Sequence, residues 1–170
     1  MTLTAREIWT VLHGMIFGAV FLVAFAGGFA GLWSLTPELV TQAGIKERMK
    51  RLLLGMWSMA IMAWATVITG TYIVYPWYRA SDPSSPRSLL VGNPEMKTWH
   101  TFGMEWKEHV GWFAPVLATA AAFLVTYYGA RLVEKRHIRQ TALIFFTVAF
   151  AAAAIAGIFG AFLNKVAPIR

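Results

Sequence analysis

Residues 141–163 read TALIFFTVAFAAAAIAGIFGAFL, a run without a single charged side chain. A transmembrane helix needs about 20 consecutive, mostly apolar residues, and this run meets that requirement. Three similar runs precede it, from about Ile8 to Trp33, from about Leu52 to Tyr75 and from about Val110 to Tyr128. The sequence therefore predicts an all-α fold, a four-helix transmembrane bundle that forms one integral membrane domain over residues 1–170.

The composition supports this fold class and excludes several others. Hydrophobic residues make up 58% of the chain and charged residues 14%, whereas soluble domains have about 45–50% and about 25%. A soluble enzyme, a nucleic-acid-binding module and a disordered chain are therefore excluded. The chain has no cysteine, which also excludes disulfides, thiolate metal sites, iron–sulfur clusters and covalently attached haem.

The basic residues predict an orientation in the membrane. Eight of them lie in the first and third loops: Lys46, Arg48, Lys50, Arg51, Arg131, Lys135, Arg136 and Arg139. Because basic loops stay in the cytoplasm, both termini and the second loop, residues 76–109, are expected in the periplasm of a bacterial inner membrane. The first apolar run resembles a signal peptide, but it continues to Trp33, so we expect a retained helix.

The second loop is predicted to contain a short interfacial helix before the third span. Its residues 95–109 carry Trp99, Phe102 and Trp106, and aromatic side chains concentrate at membrane interfaces. Glu105 and Trp106 are candidate residues of a quinone pocket, since a quinone needs aromatic walls and a proton acceptor. The competing interpretation is metal binding, either by His100 with Met104 or by Glu105 with His109. The simplest interpretation is an amphipathic interfacial helix whose polar side faces water.

His13 is the histidine that the sequence places deepest in the membrane. It lies in the first span, beyond the last charged residues Arg6 and Glu7. An ionisable residue at such a depth usually faces the interior of a bundle and marks a functional site. The alternative is a histidine that only bonds to a neighbouring helix.

His109 and His100 are predicted to lie at the same end of the bundle as His13, because the first and third spans run in the same direction. If residues 95–128 form one helix, a spacing of nine residues puts these two histidines on opposite faces. Only one of them then points inward. His137, in the basic third loop, is expected to be solvated.

Two histidines that face each other across a four-helix bundle suit haem b, since imidazole is a good axial ligand for iron. Gly14 and Gly18 would leave a thin helix surface beside His13 against which a flat macrocycle can lie. Close packing of helices through small residues explains the same glycines equally well.

The four spans, with His13 on the first and His109 or His100 at the start of the third, resemble the small membrane-bound b-type cytochrome subunits of quinone-linked redox complexes. The resemblance implies one haem b near the periplasmic side, with His13 and His109 as axial ligands and His100 as the alternative. Many of those proteins hold two haems with four histidines. Here no histidine lies in the cytoplasmic half of a span, so one haem is expected rather than two.

The predicted function is a membrane electron-transfer subunit that exchanges electrons between quinol and a partner redox protein, more plausibly a subunit than an enzyme. Expected partners are membrane lipid and other membrane or periplasmic redox subunits, with a homo-oligomer left open and no nucleic acid. The alternative is a cofactor-free accessory or assembly subunit of a larger membrane complex. A transporter or channel is disfavoured, because the span interiors carry no charged residue.

Overall fold

The computed structural model describes residues 2–41 and 43–168. Four helices in it are long and apolar enough to cross a membrane: α1 (Ala5–Trp33), α2 (Ile45–Tyr78), α4 (Trp99–Val133) and α5 (Arg136–Val166). A short helix, α3 (Pro86–Gly92), lies between α2 and α4. Each predicted span falls within one long helix, so the prediction of an all-helical chain with four such helices is confirmed.

Local side-chain chemistry explains where two of these helices begin. Thr4 caps α1, since its hydroxyl accepts the backbone N–H of Glu7 while the Glu7 carboxylate accepts the backbone N–H of Thr4. Ser85 caps α3 by accepting the backbone N–H of Ser88, and Pro86 occupies the first turn. Both starts leave fewer backbone N–H groups without a partner.

The segment expected to form a short interfacial helix before the third span belongs to the long helix α4. α4 begins at Trp99, and a turn at residues 110–112 interrupts it before Phe113. Pro115 explains the interruption, because it has no N–H to donate to the carbonyl of Gly111. An interfacial helix distinct from the span is therefore not shown, and the separate short helix of this loop is α3.

The four long helices pack as a ring in chain order. α1 packs on α2, α2 on α4 and α4 on α5, and a smaller contact between α1 and α5 closes the ring. The core combines methionines of α2 with alanines of α4 and Phe146 of α5; its fully buried members include Met56, Met59, Ala118, Ala121 and Phe146. Such small side chains let the helices approach closely, as membrane helices require.

Two tryptophans of α2 connect it to α4 by hydrogen bonds. The indole N–H of Trp57 donates to Thr126 Oγ1, and that of Trp64 donates to Thr119 Oγ1, both at 3.0 Å. The two tryptophans are seven residues apart on α2, and so are the two threonines on α4, so the contacts repeat along one seam. Hydrogen bonds of this kind hold membrane helices in register.

The two ends of the bundle differ in their polar residues. We call residues 34–51 and 129–139 the basic end, because they carry eight basic and three acidic side chains. We call residues 5–16, 69–109 and 157–166 the histidine end, because they contain His13, His100 and His109. The assignment of the histidine end to the periplasm stays a prediction.

Candidate functional site

Three π-helical turns mark the histidine end. They span Leu12–Ile16 in α1, Gly70–Val74 in α2 and Trp99–Met104 in α4. The first contains His13 and the third contains His100. Because π-turns are rare and occur frequently at functional sites, their concentration here points to this end as the candidate site.

His13 is held by α2. Its Nδ1 lies 3.2 Å from Thr69 Oγ1, and the imidazole also lies close to the backbone carbonyl of Thr66. An added Cβ at Gly70 would lie 2.7 Å from the Cε1 atom of His13. Only glycine at position 70 therefore lets the imidazole ring approach α2 so closely.

The contacts of His13 assign its tautomer. The hydroxyl of Thr69 donates to the carbonyl of Ala65 at 2.7 Å, so its oxygen is left to accept from His13 Nδ1–H. The proton is thus on Nδ1, and Nε2 keeps its lone pair. This is the form in which a histidine binds iron or accepts a proton.

Lys107 reaches into the bundle beside His13, a contact that the sequence pattern did not predict. Its Nζ lies next to Gly160 of α5, where an added Cβ would be only 2.8 Å away, and it interacts electrostatically with His13. A signal for this position does exist, because Lys107 lies seven residues from both His100 and Ala114, and so shares the inward face of α4.

His100 lies nearer to the end of the bundle than His13 and forms a separate layer of polar contacts. Its Nδ1 lies 2.8 Å from the hydroxyl oxygen of Tyr78, and the two residues are 6% and 5% exposed. Glu108 and Arg87 lie close enough to Tyr78 to act on it electrostatically. Within the described chain, Glu108 Oε1 and Arg87 Nε are buried without a hydrogen-bond partner. The layer is a buried polar cluster.

His109 lies on the opposite face of α4 from His100. Its side chain is 73% exposed, and its Nδ1 donates to the backbone carbonyl of Glu105 at 2.8 Å. The Glu105 carboxylate is 3.7 Å from the same nitrogen. This arrangement agrees with the expectation that only one of the two histidines points inward, and it selects His100.

No two of these histidines face one site. His13 packs beside Gly70 and His100 packs beside Tyr78, eight residues further along α2, which corresponds to about 12 Å along the helix. His109 points outward. Across residues 2–41 and 43–168, no group of three or more His, Cys, Asp or Glu side chains could hold a metal ion.

Gly14 and Gly18 do not pack against another helix of this chain. A Cβ added at either position would meet no atom within 4 Å. Close helix packing inside the bundle therefore does not explain them, and the surface of α1 beside His13 is open.

An aromatic cleft lies between α4 and α5 at the histidine end. Its volume is about 370 Å³, and Trp99, Phe102, Gly103 and Phe159 line it together with Thr98. Phe102 and Phe159 meet edge to face, with ring centroids 5.6 Å apart. The cleft opens on a face where Phe102 is 56% exposed, so a small molecule can enter it from outside the bundle.

Trp106 packs against the residues of this cleft. Its ring centroid is 6.3 Å from those of both Phe102 and Phe159. The indole nitrogen is buried, and no described residue accepts a hydrogen bond from it. Of the two residues predicted for a quinone pocket, Trp106 thus adjoins the cleft, while Glu105 lies against His109.

Comparisons with protein families, curated proteins and solved structures find no match to this chain.

Proposed function

We propose that this chain is a membrane-embedded subunit of a quinone-linked redox complex and that the aromatic cleft binds the quinone headgroup. The observation that carries the proposal is the aromatic cleft itself, against whose residues Phe102 and Phe159 the ring of Trp106 packs. The indole N–H of Trp106 is buried without an acceptor among the described residues. Leaving such a donor unpaired costs about 1–3 kcal/mol. A quinone carbonyl oxygen is an acceptor that would remove this cost.

The size and the walls of the cleft support the same ligand. A volume of about 370 Å³ lies at the lower end of the range for ligand pockets, roughly 300–1,000 Å³. Trp99, Phe102 and Phe159 offer aromatic faces and edges against which a flat quinone ring can stack. The isoprenoid tail of the quinone would extend into the lipid next to Phe102.

Polar side chains on the helix that lines the cleft can accept the protons that oxidation of a quinol releases. Oxidation of a quinol releases two electrons and two protons; the electrons would pass to a redox centre of the partner subunit. Glu105, Glu108 and His100 lie on the same helix as the cleft residues Trp99 and Phe102, and each can accept a proton. The protons would leave through these groups at the histidine end.

A b-type haem on this chain stays a prediction. His13 fits one axial position, because Nδ1 is held by Thr69 and Nε2 keeps its lone pair. Neither His100 nor His109 faces it, so a haem between two histidines of this chain does not fit the arrangement. We therefore derive no reaction step through haem.

The alternative function is a cofactor-free accessory or assembly subunit. The outward position of His109 and the separation of His100 from His13 favour this alternative, because no two histidines are then placed to serve as the two axial ligands of a haem. A quinone site is compatible with a redox subunit and with an accessory subunit alike, since the electron carrier can belong to the partner.

The first experiment measures quinone binding to Trp106→Phe. We expect the purified wild-type protein in detergent to bind a short-tailed quinone saturably, followed by calorimetry. Phenylalanine keeps the aromatic contacts but lacks the N–H, and one hydrogen bond corresponds to a loss of roughly five- to tenfold in affinity. Trp33→Phe is the matched control, because Trp33 is 67% exposed and is the last residue of α1, far from the histidine end where the cleft lies. Equal affinities for all three proteins would contradict the proposal.

The haem prediction has its own measurement. If the sequence-based prediction of haem is right, the dithionite-reduced protein, produced with adequate haem supply, shows the α-band of b-type haem at about one haem per chain. His13→Ala should lose the band, whereas His137→Ala, in the basic third loop, should keep it. A colourless wild-type protein would remove haem and leave the quinone site as proposed.

A further inference from the structure

A second cleft lies at the basic end, between α1 and α2. Its volume is about 290 Å³, and its lining residues are Gly27, Gly31, Ser34, Leu35, Leu52, Arg48 and Arg51. The two arginines are the charged residues among them, and we call the part of the cleft beside them its mouth. The cleft is remote from the histidine end, so a ligand in this cleft is independent of the quinone site.

The two glycines of this cleft differ in the space beside them. A Cβ added at Gly27 would meet no atom within 4 Å, so the space beside this residue is open. At Gly31 an added Cβ would lie 3.1 Å from Leu52 Cδ1. In a bundle embedded in a bilayer, an apolar groove of this kind faces the lipid acyl chains.

The two arginines at the mouth are the ones available for an anion. Arg48 Nη1 donates to the carbonyl of Ser34 at 3.3 Å, which holds the guanidinium over the end of α1. The guanidinium of Arg51 makes no hydrogen bond or ion pair with any residue in the described ranges. Arg48 and Arg51 are three residues apart on α2 and therefore share a face.

Several other basic side chains at this end are already engaged. Lys50 pairs with Glu47 at 3.1 Å. Arg131 donates to the carbonyls of residues 127 and 128, and Arg139 donates to those of residues 132 and 133. Of the eight basic side chains at this end, Arg48 and Arg51 are the two that line the cleft.

We propose that this cleft binds one anionic phospholipid, with its phosphate between Arg48 and Arg51 and an acyl chain along Gly27 and Gly31. Guanidinium groups bind phosphate oxygens in a bidentate manner, and basic pockets between membrane helices bind anionic lipid headgroups. The excess of basic over acidic side chains at this end enriches anionic lipid around it. A lipid uses both the charged mouth and the apolar groove, whereas a free anion uses only the arginines.

The test is lipid binding to the full-length protein, measured by native mass spectrometry and thermal unfolding. Phosphatidylglycerol should give a one-to-one adduct and raise Tm by several degrees, while phosphatidylcholine should do neither. The double variant Arg48→Gln/Arg51→Gln should bind phosphatidylglycerol at least about tenfold more weakly. Gly27→Leu should weaken binding similarly, because leucine fills the open groove while both arginines stay in place.

The control variant is Arg131→Gln/Lys135→Gln, which removes the same charge from the same end outside the cleft. It should bind the lipid like the wild type. An equal loss in the control would overturn the site in favour of general charge attraction. A Tm rise with inorganic phosphate alone, together with unchanged lipid binding by Gly27→Leu, would overturn the lipid in favour of a free anion.

Discussion

Replacing Gly103 with leucine is expected to abolish quinone binding while the four long helices stay in place. An added Cβ at Gly103 lies 3.5 Å from Phe159 Cδ1 and 3.7 Å from Trp99 Cε3, which are ordinary contact distances. The remaining carbons of leucine would extend into the cleft that these residues line. We expect a loss in affinity of at least about a hundredfold.

Gly103→Ala is the matched control for this variant. Its methyl group fits at the contact distances above, so affinity should change less than about threefold. Calorimetric titration with the quinone, together with circular dichroism to verify the helical content, checks both variants. Binding by Gly103→Leu at wild-type strength would show that the quinone does not occupy this cleft.

The second large effect concerns the stability of the bundle, which we expect Gly28→Ala to lower. An added Cβ at Gly28 would lie 2.7 Å from both Cε1 and Cζ of Phe146, whose side chain is 0% exposed. The ring cannot move away without disturbing the core, and overpacking of this kind costs about 1–3 kcal/mol. Tm in detergent should fall by several degrees.

Gly27→Ala is the control on the same helix, because a Cβ there meets no atom within 4 Å. Alanine also has a better helix propensity than glycine, by about 1 kcal/mol. Its Tm should equal or exceed that of the wild type. Equal losses for the two variants would mean that α1 does not pack on Phe146 through Gly28.

Most of the fold could be predicted because bilayer thickness sets the length of an apolar run, and four such runs are plain in the sequence. The helix ends could not, since polar residues extend each helix beyond its apolar part. α2 begins at Ile45, before Lys46 and Arg48, whereas the apolar run predicts a span from Leu52. Likewise α4 begins at Trp99, before the apolar run that starts at Val110, although the sequence does predict a helix over residues 95–109.

The candidate site could be predicted only in part, because helical spacing gives faces but not which face packs inward. The spacing places His100 and His109 on opposite faces, yet the choice between them depends on the contact of His100 with Tyr78. The spacing likewise puts Lys107 on the face of His100 and Ala114, but its place beside α5 depends on the approach of Gly160. The approach of His13 to Gly70 is likewise a property of helix packing.

Photolabelling tests the central claim most directly. A light-activated azidoquinone would be bound to the purified protein in detergent and irradiated, and the modified peptides would be sequenced by mass spectrometry. The account predicts that the label attaches within residues 98–106 or at Phe159 of α5, and that excess unlabelled quinone prevents it. Labelling spread over all four long helices, or concentrated away from these residues, would contradict a quinone site in the aromatic cleft.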